Sequence, residues 1–164
     1  FEPDPVARAA LERNIGINSA HNITVVPWAV TAQSGSVNVI NDSLGDSTSQ
    51  IKTSGNGPKV TSVTLDAFCQ REGFIPSVIK VDVEGGEAEV LAGGSSILQK
   101  ARAILLEFHE PEIRELGSDP KLSWELLFNL GKRVVLLSPS SGLPAGTKLE
   151  PNCVLPGNSH LLIY

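Results

Sequence analysis

Lys80, Asp82 and Glu84 stand on alternate residues of the run VIKVDVEGGE, Val78 to Glu87, threaded through apolar neighbours that read as a buried strand. A charge inside a folded domain is costly unless it is paired or put to use. Side chains two apart on a strand point the same way, so these three share a face while the strand stays extended. Glu107 and His109 repeat the spacing in AILLEFHE, and Glu2 reads as the end of a first strand in the opening stretch FEP. If the two charged strands adjoin, three carboxylates and an imidazole converge on one crevice. Such a group can take a proton from a hydroxyl during attack. With oxygen donors and one imidazole, it also suits magnesium or manganese on Asp82, Glu84, Glu107 and His109. The proton-transfer reading needs no metal and explains the same residues, so it ranks first.

Each residue also has a plain structural reading. Lys80 pairs with a neighbouring carboxylate, and that role is favoured for it. His109 alone reads more readily as a hydrogen-bonded loop histidine than as a catalyst, and Glu107 as a buried acid bonded to backbone amides. Asp66 reads as a cap of the helix that begins beside it. For Glu2, a solvated residue before a helix and a ligand-holding acid are equally good readings. Asp82 and Glu84 make the strongest chemical case, because two acids at the end of one buried strand need an external reason.

The surrounding elements must position these groups. In FEPDPVARAALERNIGIN, Asp4 caps a helix, Pro5 suits its first turn, Val6, Ala10 and Ile15 share a side, and Gly16 stops it. NITVVPWAV reads as a strand, followed by β runs GSVNVI and KVTSVTL on either side of a polar loop from Asn41 to Pro58. LDAFCQREGF is a short helix ended by Gly73. Glu87 and Glu89 suit the positive end of the next helix, which Gly93-Gly94 breaks. ARAILLEFH is another buried strand, SWELLFNLGK an amphipathic helix ending near Gly131, RVVLL a strand, and HLLIY the closing strand. Strands alternate with helices, and continuous Val/Ile/Leu runs are typical of parallel strands covered on both faces. The expected fold is α/β with a largely parallel sheet, where ligands bind beyond the carboxyl ends of the strands.

At 164 residues the chain fits one domain spanning 1–164. Hydrophobic residues at 41% and charged ones at 19% suit a globular protein, and the net charge of −5 argues against tracking along nucleic acid. No apolar run is long enough to span a bilayer. Cys69 and Cys153 suggest neither a disulfide framework nor a metal cluster, and free thiols give a cytoplasmic location as the default. The chain contains no methionine and opens on Phe1, which reads as a piece of a longer protein.

Taken in order, FEPDP, VTLDAF, VIKVDVEGGEAEVLAGG and AILLEFHE resemble the FkbM family of S-adenosylmethionine-dependent methyltransferases, from Phe1 through about Pro111. IKVDVEGGE is the most specific part. The resemblance implies a Rossmann-like methyltransferase sheet, mostly parallel with an antiparallel last strand. It also implies S-adenosylmethionine as cofactor and methyl transfer to a hydroxyl of a small molecule, such as a sugar, glycolipid or polyketide. By the same resemblance Glu2 holds the cofactor's ribose hydroxyls, Trp28 and Ala29 lie beside the adenine, and Asp82 approaches methyl donor and acceptor. The catalytic candidates are Asp82, then His109, with Glu84 and Glu107 positioning the acceptor. Family members carry a strand and a glycine-rich turn upstream of the FEP acid. The expectation is therefore an N-terminally truncated sheet that binds the cofactor poorly or not at all. The rival reading is an inactive or truncated methyltransferase-like domain with a binding or assembly role, in which an unpaired strand edge admits a homodimer.

Overall fold

The computed structural model describes residues 1–40, 50–52, 57–140, 142–153, 155 and 157–164. The chain enters on helix α1 (Pro5–Ile17), where Asp4 caps the first turn by accepting from the amides of Val6 and Ala7. No residue of α1 is buried and Val6 is 78% exposed, so the apolar side expected of it covers nothing here. Pro27, which has no amide to donate, shortens the expected NITVVPWAV strand to β1 (Ala29–Val30). Then come β2 (Gly35–Ile40), β3 (Gln50–Lys52) and β4 (Lys59–Val63). The expected loop from Asn41 to Pro58 lies largely outside the described residues, and its described part includes β3, paired with β2.

Helix α2 (Leu65–Glu72) is capped by Thr64 and ends on Gly73 at φ +71°. Strand β5 (Val78–Val81) leads into α3 (Glu87–Gly93) and α4 (Ser95–Lys100), broken at Gly94 as the sequence implied. Strand β6 (Ala103–His109), helices α5 (Glu110–Glu115) and α6 (Pro120–Asn129), and strands β7 (Val134–Leu136) and β8 (Asn158–Ile163) complete the order.

These strands form two four-stranded sheets, ordered β1-β4-β2-β3 and β5-β6-β8-β7. The pairs β1–β4 and β5–β6 are parallel, whereas β2–β3, β2–β4, β6–β8 and β7–β8 are antiparallel. The sheets are therefore mixed rather than mostly parallel; the antiparallel closing strand is as expected. The apolar runs misled because antiparallel neighbours let one face meet water. In β6, Ile104, Leu106 and Phe108 are buried while Leu105 between them is 37% exposed. The buried face packs into a core with Val90, Leu98, Ile113, Trp124, Leu127 and Leu161. Each such side chain contributes roughly 1.5–3 kcal/mol of burial, which is the reserve that tolerates charges at the strand ends. Among the described residues, no helix is long and apolar enough to cross a membrane.

Candidate functional site

Register decides which charges meet. In the parallel β5–β6 pair Val81 lies opposite Leu106, so Asp82, one residue on, comes level with Glu107. Beyond Val81 the chain leaves the sheet in a tight turn, with Glu84 at φ +48° and Gly85 at φ +98°. A side chain at Gly85 would also press within 2.8 Å of the Glu112 backbone, so only glycine fits there. This turn ends the strict alternation after Asp82, yet it still delivers Glu84 to the same place.

That place is His109. Its ring is almost fully buried, and Nε2 lies 3.6 Å from Glu84 Oε2 and 3.9 Å from Asp82 Oδ1. At the other side of the ring, Nδ1 donates to Oε1 of Glu87 over 2.7 Å. Glu87 is wholly buried at the start of α3, and the same oxygen also accepts from the amides of His109 and Gly85. Its hydrogen bond to Glu87, reinforced by nearby Glu84 and Glu112, outweighs burial and raises the His109 pKa to about 9. The imidazole is thus cationic at neutral pH. Burial, then the neighbouring acids, also raises the Glu84 carboxyl.

Glu107 takes a different position from the one expected. It faces the open side of the sheet, where Lys80 Nζ lies 2.9 Å from its Oε1 and 2.7 Å from Asp82 Oδ2. These two bonds raise the Lys80 pKa, so Lys80 is the counter-charge to both acids. It sits on the surface rather than deep in the strand, with its side chain 57% exposed. Glu107 also pairs in register with His160, whose Nε2 is 3.5 Å from Oε2 and whose Nδ1 meets Ser138 Oγ at 3.1 Å. Asp82 therefore stands at a junction, with Oδ2 toward Lys80 and Oδ1 toward His109.

Glu2 belongs to a separate neighbourhood, in an entry segment that forms no strand, so, contrary to expectation, it ends none. Its amide donates to the Val26 carbonyl at 3.0 Å and its Oε1 accepts from the Asp4 amide at 2.9 Å. Phe1 packs edge-on against Phe68, which in turn contacts Trp28. Arg71 covers one face of the Trp28 ring at 4.5 Å, and Ala29 is buried. Among the described residues, no hydrogen bond or ion pair joins Glu2 to the Asp82–Glu84–His109 group. A cleft of about 700 Å³ opens at the carboxyl ends of β1 and β5, lined by Thr31, Gln33, Ser34, Gly85, Gly86 and Glu89 among others. Its volume suits a small molecule.

Two members of the site escape the sequence reading. Glu87 looks like an ordinary first-turn acid, and nothing local ties it to a histidine 22 residues away. His160 enters through antiparallel pairing with β6, which no spacing motif encodes. Asp66 does cap a helix, but a distant one. It accepts from the Ser96 and Ile97 amides at the start of α4, while Thr64 caps its own helix.

A family model described as the methyltransferase FkbM domain matches residues 1–134. The chain is 30% identical to the hexuronic acid methyltransferase AglP of Haloferax volcanii, over 77% of this chain and 54% of that protein. It is 29% identical to the 2-O-methyltransferase NoeI of Sinorhizobium fredii, over 70% of this chain and 54% of that protein. It thus spans about half the length of the curated relatives it matches. The crystal structure of methyltransferase FkbM from Methylobacillus flagellatus KT superposes with a TM-score of 0.58 at 17% identity. That match covers 99% of this chain and 35% of the other, and it speaks to fold alone.

Proposed function

The chain belongs to the FkbM methyltransferase domain family, and we propose that it takes part in S-adenosylmethionine-dependent methyl transfer to a hydroxyl of a sugar or other small molecule. The observation supporting this is the gathering of Asp82, Glu84 and His109, one donor atom from each within 4.8 Å of the others, at the carboxyl end of β5. The names of the two relatives, one acting on a hexuronic acid and one a 2-O-methyltransferase, favour a sugar hydroxyl.

The residues present suit the cofactor. Glu2 is only half-buried and keeps Oε2 without a bond among the described residues, so it can accept from the vicinal ribose hydroxyls. By family resemblance Trp28 and Ala29 would flank the adenine. Bound S-adenosylmethionine would supply a methyl group already activated toward attack. What remains for the chain is to hold the acceptor in line and to take its proton. Asp82 suits the second task through Oδ1, since Lys80 neutralises the other oxygen. His109, held at Nδ1 by Glu87, turns Nε2 toward both carboxylates and offers them a positive partner. Glu84 is the group best disposed to orient the acceptor hydroxyl.

Calorimetry of this chain with S-adenosylmethionine, followed by incubation with a methyl-labelled donor and a panel of uronic acid and other sugar acceptors, tests the reading. Weak but saturable binding and label on a hydroxyl oxygen are expected. Absence of cofactor binding, or label carried to nitrogen or carbon, would overturn it.

A further inference from the structure

The Asp82–Glu84–His109 group has a donor set and a charge balance that hydrogen bonding leaves incomplete. His109 is 7% exposed, and its Nε2 points at two carboxylate oxygens that both stand beyond hydrogen-bond length, at 3.6 and 3.9 Å. Behind the ring, fully buried Glu87 commits Oε1 to Nδ1 and leaves Oε2 with no partner among the described residues; the buried Oε2 of Glu112 is likewise unpartnered. Asp82, Glu84, Glu87, Glu107 and Glu112 together bring five carboxylates, against which stand the Lys80 ammonium and the His109 imidazolium.

We infer that Asp82 Oδ1, Glu84 Oε2 and His109 Nε2 form the protein side of a binding site for one divalent cation of the manganese type. Two carboxylate oxygens and one imidazole suit such an ion better than a softer, thiolate-seeking metal. Octahedral bonds of roughly 2.1 Å place neighbouring donors about 3 Å apart, so the two imidazole–carboxylate separations of 3.6 and 3.9 Å need to close by less than about 1 Å. Glu87 is the positioning residue. A carboxylate on Nδ1 keeps the proton on that nitrogen and orients the ring, so the ion displaces the proton of Nε2 to solvent and binds the lone pair exposed there, as in other metal-bound histidines. Glu107, which Lys80 and His160 hold on the open face, is not a ligand. Gly85 and Gly86, next in the chain after Glu84, line the cleft, and an acceptor hydroxyl held there would complete the ion's coordination. That use of the ion rests on the methyltransferase reading; its binding does not.

Titration of the chain with manganous ion alone, followed by electron paramagnetic resonance, tests the site. One ion per chain is expected, with paramagnetic broadening of the His109 imidazole signals. Asp82→Asn and Glu84→Gln, both partly exposed and so tolerable to folding, should each weaken binding about tenfold or more. Glu87→Gln should weaken it similarly, with its fold checked by circular dichroism, and surface Glu125→Gln should leave it unchanged. No saturable binding, or equal binding by the Asp82 and Glu84 variants, would overturn the site. Methyl transfer that persists in excess chelator would remove the cation from the reaction while leaving the methyltransferase reading, and a site proved by titration, intact. Ion binding that tracks these variants without methyl transfer would uphold the site while that reading failed.

Discussion

At the scale of single residues the site turns on which atom holds a proton. Asp82 divides its two oxygens between Lys80 and His109, and under the proposed reading Oδ1 takes the acceptor's proton in the ion-free site and holds the cation when one is bound. Asp82→Asn keeps the shape and removes the base, so turnover should fall by about a hundredfold or more while the urea midpoint stays put. Unchanged turnover would take Asp82 out of the mechanism. His109 faces Glu87, Glu84, Asp82 and Glu112, and its folded pKa of about 9 exceeds the ordinary 6.5. A raised histidine pKa stabilises fully below the unfolded value and is lost as pH climbs through the folded one. With chelator present, stability should therefore decline between about pH 6.5 and about pH 9, by on the order of 2–3 kcal/mol. Urea unfolding across that range measures it, and Glu87→Gln should flatten the slope. The charged ends of β5 and β6 were legible from alternate spacing. Glu87 was not, because an acid in the first turn of a helix already has a sufficient local explanation in the helix dipole.

At the scale of elements, the two glycines that end α3 and begin α4 link the halves of the fold. A side chain on Gly93 would overlap the Thr31 carbonyl oxygen just beyond β1, and nearby Glu89 Oε2 accepts from the Ala32 amide at 2.9 Å. Gly93→Ala should therefore destabilise by about 1–3 kcal/mol through displaced backbone, where an exposed helix glycine would gain from the same change. Asp66 joins α2 to α4 by accepting two amides across 30 residues. Asp66→Ala should cost about 1 kcal/mol in urea unfolding and Asp66→Asn much less, since asparagine also caps. The Gly-Gly break, the Gly73 stop and most strand positions were readable from the sequence, because glycine and β-branched residues act locally. Pairing direction was not. The antiparallel course of HLLIY was implied by the family resemblance and not by its residues, and its register against β6 brings His160 to Glu107.

At the scale of the whole molecule, no strand pairing joins the two sheets among the described residues, so packing has to join them. One apolar cluster does so. It runs from Val63 and Leu65 at the end of β4, through Phe68, Val90 and Leu91, to Phe108, Trp124 and Ile163 under the second sheet. The carboxyl ends of β1 and β5 open onto the same cleft only while that cluster is intact. Unfolding should accordingly be one event rather than two, and the chain carries its own reporters of this, because its two tryptophans fall on opposite sides of the cluster. Trp28 sits beside β1 under the Arg71 guanidinium, and Trp124 lies buried in α6 against Phe108. Trp124 Nε1 has no partner among the described residues, so Trp124→Phe sacrifices packing but no hydrogen bond. Each single-tryptophan variant, Trp28→Phe or Trp124→Phe, then reports one side. In each variant the fluorescence transition in urea should coincide with the far-ultraviolet circular dichroism transition of the same variant, as two-state folding requires. A fluorescence change at lower urea with the Trp28 reporter alone would mean that the first sheet detaches while the carboxylate–imidazole group remains folded. The cleft would then be a feature of docking between two separable layers.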